Sequence, residues 1–331
     1  MQDIIGADAG GRGMKDLIVP GDLYQASRLL GQRQQSGRST VVILSGFPCC
    51  VSHNPPTETD GPPGTMAIAR AAAVLGHRVI IIVDDCNRDV FAASLDQLAM
   101  PQDAVDVVAP ELQSFPSEPL SETDERRLQT LLSECHLIIA CERAGPSQDG
   151  RCYTMRGIDM NAAGLIAPLH RLVQERKQGV PFIAIGDGGN ELGMGKVLPN
   201  ILKNIANAEK IACVVPADYL IAAGVSNWGG YALAAGAALC RVEEILGQQQ
   251  QKSQGDDDDI AADTLVTDWI TKCLPTAQEE TELLERAVAA GCRDGVSGKM
   301  EATVDGMPLA TSLQCLADIR AAALGASTTK E

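Results

Sequence analysis

The sequence predicts an α/β fold: a mostly parallel buried sheet with helices on both faces, plus a C-terminal helical and turn extension. Three observations carry this. The runs VVIL, VIIIV, LIIA and FIAI are apolar on consecutive residues, the pattern of strands covered on both faces. Longer stretches with helical spacing alternate with them. Hydrophobic residues make up 45% of the 331 but aromatics only 3%, so Ala, Leu, Ile and Val must fill the core. Abundant Gly and Ala suit close packing of helix on sheet.

In chain order, residues 1–16 are expected to be flexible. Helix Asp22–Gln35 precedes strand Thr40–Gly46, and helix Met66–Gly76 precedes strand Arg78–Asp84. Helix Val90–Ala99 precedes a weak strand, AVDVVA, and helix Glu122–Glu134 precedes strand His136–Glu142. A long helix, Met160–Gln178, precedes strand Val180–Asp187, and a further helix leads to KIACVVPAD, Lys210–Asp218. A doubly wound domain therefore spans residues 17–247. QQQQKSQGDDDD, within a low-complexity acidic insertion at 248–262, reads as solvated chain. Its consecutive aspartates lack the alternating ligand spacing of a Ca²⁺ loop. Residues 263–325 hold helices at Asp263–Lys272, Ala277–Ala290 and Leu309–Leu324, expected to pack back on the same domain.

The formal net charge is −16, which argues against nucleic acid, whose phosphates need clustered Lys and Arg. It equally disfavours anionic membranes. The eleven cysteines include no CxxC, so free thiols in a reducing compartment are expected. MQDIIGADAGGRGMKD has no apolar segment of signal-peptide type, and no run is long enough to span a bilayer. A soluble intracellular protein, cytoplasmic or in the mitochondrial matrix, is expected.

Three buried strands end in unusual loops: FPCCVSHNPPTETDGPPG, RAGPSQDGRCYTMRG and DGGNELGMG. In open α/β sheets ligands bind beyond the carboxyl ends of strands, so the three can converge on one site. GDGGNELGMG carries five glycines in ten residues but is no phosphate cradle. The dinucleotide fingerprint fails at Glu191, and the P-loop pattern fails at Asn190 and Val197. No nucleotide cofactor is expected. Asp187, Asn190 and Glu191 suit a divalent cation (Mg, Mn or Ca) or acid–base work, whereas helix capping explains one polar residue and not three.

In ETDGPPG, Glu58 and Asp60 precede a helix whose first N–H groups are expected to face them. His53, Cys49 and Cys50 lie just upstream, and adjacent cysteines are poor partners for one metal. The arginine loop places Arg143, Tyr153 and Arg156 for an anionic ligand, surface ion pairs being the plainer alternative. In SNWGGYAL, Asn227, Trp228 and Tyr231 suit either a pocket wall or helix packing. RDGVSGKMEATVDG reads as turn chemistry.

ETDGPPG, the ERAG and YTMRG segments, GDGGNELGMG, SNWGGYAL and DGVSGKMEATVDG together resemble the D-glutamate cyclase family, in its C-terminal domain. The resemblance runs from about Leu17 to Leu324 and implies conversion of D-glutamate to 5-oxo-D-proline and water. It implies a small acidic amino acid substrate, a mitochondrial animal relative and, in that relative, a further N-terminal domain. From the residues, Arg143 and Arg156, with Tyr153, Asn227, Gly188 and Gly189, are expected to hold substrate. Glu58 and Asp60, or Asp187 and Glu191, are expected to take the ammonium proton. A hydrolase acting on another amino acid derivative, or a carboxylate- or nucleotide-binding regulatory module, are the alternatives.

Overall fold

Six strands form one parallel sheet in the order β3-β2-β1-β4-β5-β6. They are β1 (Thr40–Gly46), β2 (Arg78–Asp84), β3 (Glu111–Phe115), β4 (Leu137–Arg143), β5 (Phe182–Gly186) and β6 (Tyr219–Ala222). The computed structural model describes residues 1–8, 10–11, 13–32, 38–101, 107–252 and 262–325. Ahead of the sheet lie α1 (Gln2–Ile5), α2 (Met14–Leu17) and α3 (Asp22–Gly31). Between strands lie α4 (Pro62–Val74), α5 (Arg88–Asp96), α6 (Glu122–Glu134), α7 (His170–Gln174), α8 (Leu198–Asn204) and α9 (Ala208–Ile211). After β6 come α10 (Ser226–Lys252), α11 (Ala262–Cys273), α12 (Ala277–Ala289), a hairpin of β7 (Thr303–Val304) and β8 (Met307–Pro308), and α13 (Leu309–Gly325).

Alternate residues of each central strand feed opposite layers. Val41, Ile43, Ile81 and Ile139 pack with residues of α3, α4 and α10–α13. Val42, Leu44, Ile82 and Ile138 pack with residues of α6–α9. Two covered faces are why these strands are apolar at every position. The small residues have their own use. A Cβ on Gly230 would lie 2.6 Å from the Gly64 carbonyl oxygen, so α4 and α10 meet backbone to backbone.

Four expected elements differ. AVDVVA is not β3: residues 104–106 lie outside the described residues, 107–109 are irregular, and the strand is ELQSF. At the sheet edge four of its five residues are only half-buried, so it lacks the apolar run. The long helix shrinks to α7, because Gly164 adopts φ 70 in a turn and Pro168 cannot continue a helix from upstream. KIACVVPAD is not a strand. Cys213 donates to the Gly189 carbonyl at 2.9 Å and Gly195 donates to that of Val215 at 3.1 Å, so this segment braces the glycine-rich loop and β6 follows it. Helix α4 starts at Pro62, so both prolines sit in its first turn. The end of the first expected helix, residues 33–35, and most of the acidic insertion lie outside the described residues. Within the N-terminal stretch expected to be flexible, Ile5 and Met14 are buried, and the Ile5 carbonyl accepts from Gly224 N–H at 2.7 Å.

Helix α12 carries a buried acid. Glu280 is 1% exposed and accepts the Tyr231 hydroxyl from α10, while its Oε2 has no hydrogen-bond partner. Burial pushes its carboxyl up from 4.5 to about 7. The folded state thus holds this proton more tightly than the unfolded chain. Its contribution is complete below about pH 4.5 and is lost as pH rises to about 7. The loss is roughly 3 kcal/mol at 1.36 kcal/mol per unit. Glu280→Gln keeps an acceptor for Tyr231 and removes the charge, so the variant should be the more stable at pH 8 by roughly that amount. Urea unfolding at pH 5 and pH 8 tests it; equal pH slopes in both proteins would refute the assignment.

Candidate active site

The order 3-2-1-4-5-6 reverses direction between β1 and β4, the crevice where such sheets bind ligands. A pocket of about 150 Å³ lies there, lined by residues following β1, β4 and β5 and by the β7–β8 region. Five of its lining residues are acids (Glu58, Glu142, Asp187, Glu191 and Asp305), and Arg156 is the only basic one.

Glu142 owes its place to a bulge. The β1–β4 register pairs Ser45 with Cys141 and Gly46 with Arg143, skipping Glu142, whose φ is 44. A left-handed non-glycine residue costs about 1–3 kcal/mol and persists only where surroundings hold it. Here the Ser226 hydroxyl donates to Glu142 Oε2 at 2.6 Å. The extra residue also changes the face on which Arg143 projects. Arg143 is 1% exposed and is not a lining residue. It donates to Asp84 Oδ2 at 2.6 Å, the Ala167 carbonyl at 2.9 Å and the Gly46 carbonyl at 3.3 Å. It is a buried clamp on three segments beneath the site, not the anion contact the sequence suggested.

Asp60 and Asn227 cap each other's helices. Asp60 accepts the Ser226 and Asn227 backbone N–H groups, both at 2.8 Å. Asn227 Oδ1 accepts those of Gly61 and Gly64 at 2.9 and 2.8 Å. The donors at the start of α4 are therefore filled by Asn227 rather than turned toward Glu58 and Asp60. Glu191 is committed likewise: its two oxygens accept Gly188 and Gly189 N–H at 2.7 and 2.6 Å, so those amides are engaged within the loop. Asn190 donates to the Tyr153 carbonyl at 2.8 Å, and the Tyr153 hydroxyl donates to Asp149 at 2.5 Å. Trp228 donates to Ser312 at 3.1 Å, which is helix packing. His53 is exposed and is not a lining residue.

Of the residues expected to hold substrate, Arg156 alone lines the pocket; it also donates to the Val296 carbonyl at 3.1 Å. Oxygens of Asp60, Glu142 and Asp187 lie within 4.8 Å of one another and can hold a metal ion. Asp187 is the one member shared with the cation set read from sequence. Burial pushes the Glu58 carboxyl well up, with Asp305 and Asp60 pushing the same way. Burial and then Glu191, Asp187 and Asp60 do the same to Glu142. Sequence reasoning assigns no role to Glu142, Asp305 or Cys49. Glu142 does carry a signal, an acid at the carboxyl end of a buried strand. Asp305 carries none, since a turn aspartate before glycine is ordinary.

Fold and site define a doubly wound α/β protein with a carboxylate-rich pocket at its topological switch point. The chain belongs to the D-glutamate cyclase-like family: the family model described as "D-glutamate cyclase-like, C-terminal" matches residues 1–320. It is similar to human "D-glutamate cyclase, mitochondrial", 33% identical over 330 residues, covering 97% of this chain and 52% of that protein. The chain thus spans about half the length of the curated relative it matches. No described helix is long and apolar enough to cross a membrane.

Proposed function

We propose that this chain cyclises D-glutamate to 5-oxo-D-proline and water. The observation that carries the reading is the pocket itself. At about 150 Å³ it has the scale of one small amino acid, and it sets one guanidinium among five carboxylates. Kinship with a protein named for this reaction supports it.

In the reaction the α-amine attacks the carbon of the γ-carboxyl group. Two protons leave the nitrogen and depart with one γ-oxygen as water, so net charge does not change. Arg156 pairs with the substrate α-carboxylate. Glu58 takes the first ammonium proton, since a carboxylate of raised proton affinity is the stronger base. The small enclosure folds the substrate so that amine and γ-carboxyl approach, a proximity effect suited to a five-membered ring. The Asp60–Glu142–Asp187 donor set is all oxygen, which fits Mg²⁺, Mn²⁺ or Ca²⁺ better than zinc. A cation held there would supply Lewis-acid polarisation of the γ-carboxylate.

The test is turnover of D-glutamate, L-glutamate and 5-oxoproline by the purified chain, before and after chelation and metal repletion. D-Glutamate turnover that chelation removes and Mg²⁺ or Mn²⁺ restores is expected. Chelation without effect would leave the reaction and remove the cation. A second reading, a carboxylate-binding regulatory module, rests on Arg156, the basic residue among the pocket's lining. That reading predicts thermal stabilisation by D-glutamate with no product.

A further inference from the structure

We propose that Cys49 and Cys50 form a redox modification site in the wall of the acidic pocket, closing to a disulfide under hydrogen peroxide and reopening under thiol reductant, with turnover lost while closed. The modification stands on the geometry of the two thiols; its effect on turnover rests on the function proposed above.

The two Sγ atoms lie 3.9 Å apart. Cys49 is half-buried and lines the pocket, while Cys50 is buried behind it. Cys50 is held by its backbone. Its N–H donates to the Pro56 carbonyl at 3.0 Å, and its carbonyl accepts from His53 at 2.8 Å. Bringing the sulfurs to the bonded distance of about 2.05 Å therefore moves Cys49. That movement reaches Glu58, because little slack surrounds them. A Cβ on Gly295 would overlap Glu58 Oε2 and lie 3.4 Å from Cys49 Sγ.

Neighbouring Cα atoms are about 3.8 Å apart, short of the roughly 4.4–6.8 Å that disulfides usually span. The closed pair is thus strained, and strained disulfides are the readily reduced, labile ones. This is the behaviour of a switch and not of a structural staple. The two thiols also differ in kind. The hydrogen bond with Cys49 lowers the Cys50 thiol against its burial, with Arg293 and Arg156 adding to it. The same bond and then burial push Cys49 well up.

In the reaction the Cys50 thiolate attacks one peroxide oxygen. The O–O bond breaks, Cys50 sulfenic acid forms and hydroxide leaves. Cys49 Sγ then attacks Cys50 Sγ, the S–O bond breaks, and the departing oxygen leaves as water with the Cys49 proton. Two thiols lose two electrons and two protons, and peroxide becomes two waters.

The experiment treats the chain with hydrogen peroxide, then reads intact mass, non-reducing peptide maps and D-glutamate turnover. Expected are a loss of two hydrogens located to the peptide carrying both cysteines, turnover reduced at least tenfold, and recovery of both under dithiothreitol. Cys50→Ser, or Cys50→Ala should that variant fail to fold, keeps reduced-state turnover and yields no such disulfide. Oxidation elsewhere, over-oxidation of Cys49 with no disulfide, or full turnover by the closed form would each overturn the proposal. Should the untreated chain turn over nothing, the cyclase reading fails. The mass data still decide the modification, and D-glutamate thermal shifts of the two forms then decide its effect on the pocket.

Discussion

Glu142→Gln is expected to lower D-glutamate turnover by about two to four orders of magnitude, the range for loss of an acid–base or charge-bearing group in a reacting site. The fold should survive. Gln fills the same volume and keeps an oxygen for the Ser226 hydroxyl, which reaches Glu142 at 2.6 Å. The substitution also removes one charge from a buried group containing Asp60 and Asp187, so the melting temperature should hold or rise. Turnover and thermal unfolding measured on one preparation separate the two effects. A variant that is stable and turns over at the wild-type rate would remove Glu142 from the chemistry.

The largest stability effect is expected at Arg143. Arg143→Met should cost about 3–5 kcal/mol, because it strands the Asp84 carboxylate without its cation in the interior. Asp84 is buried, accepts Ala167 N–H at 2.7 Å and the Asn87 amide at 3.0 Å, and would keep those two bonds only. Asp84→Asn together with Arg143→Met should recover part of the loss, since no buried charge is then left. Urea unfolding of the single and double variants reads this coupling. A role in binding substrate predicts the reverse, a raised KM with unchanged unfolding free energy, and that result would return Arg143 to the pocket.

These two neighbours show where sequence reasoning stops. The strand ending at Glu142–Arg143 is legible because it is apolar on both faces, and so is the convergence of its loop with those after β1 and β5. Glu58, Asp187 and Glu191 do line one pocket. Which side chain faces that pocket turns on a single bulge, and no local residue pattern announces it. Glu191 stands out in the sequence as the residue that breaks a phosphate motif. Its carboxylate nevertheless binds the amides of its own loop. Asn227 and Asp60 each cap the other's helix across more than 160 positions, and Asp60 also stands with Glu142 and Asp187 in the oxygen set that can hold a metal ion.

By itself, the sequence determined the layered α/β architecture, the order of its principal helices and strands, and the family. Those follow from local patterning: runs of apolar residues must be buried, and turn residues restrict the backbone where they stand. Only the tertiary structure decided which acids meet, that Arg143 is buried on Asp84 and two backbone carbonyls, and that Asp305 lines the pocket. Those depend on hydrogen bonds and ion pairs between distant segments, whose partners are set by strand order and one shift of register.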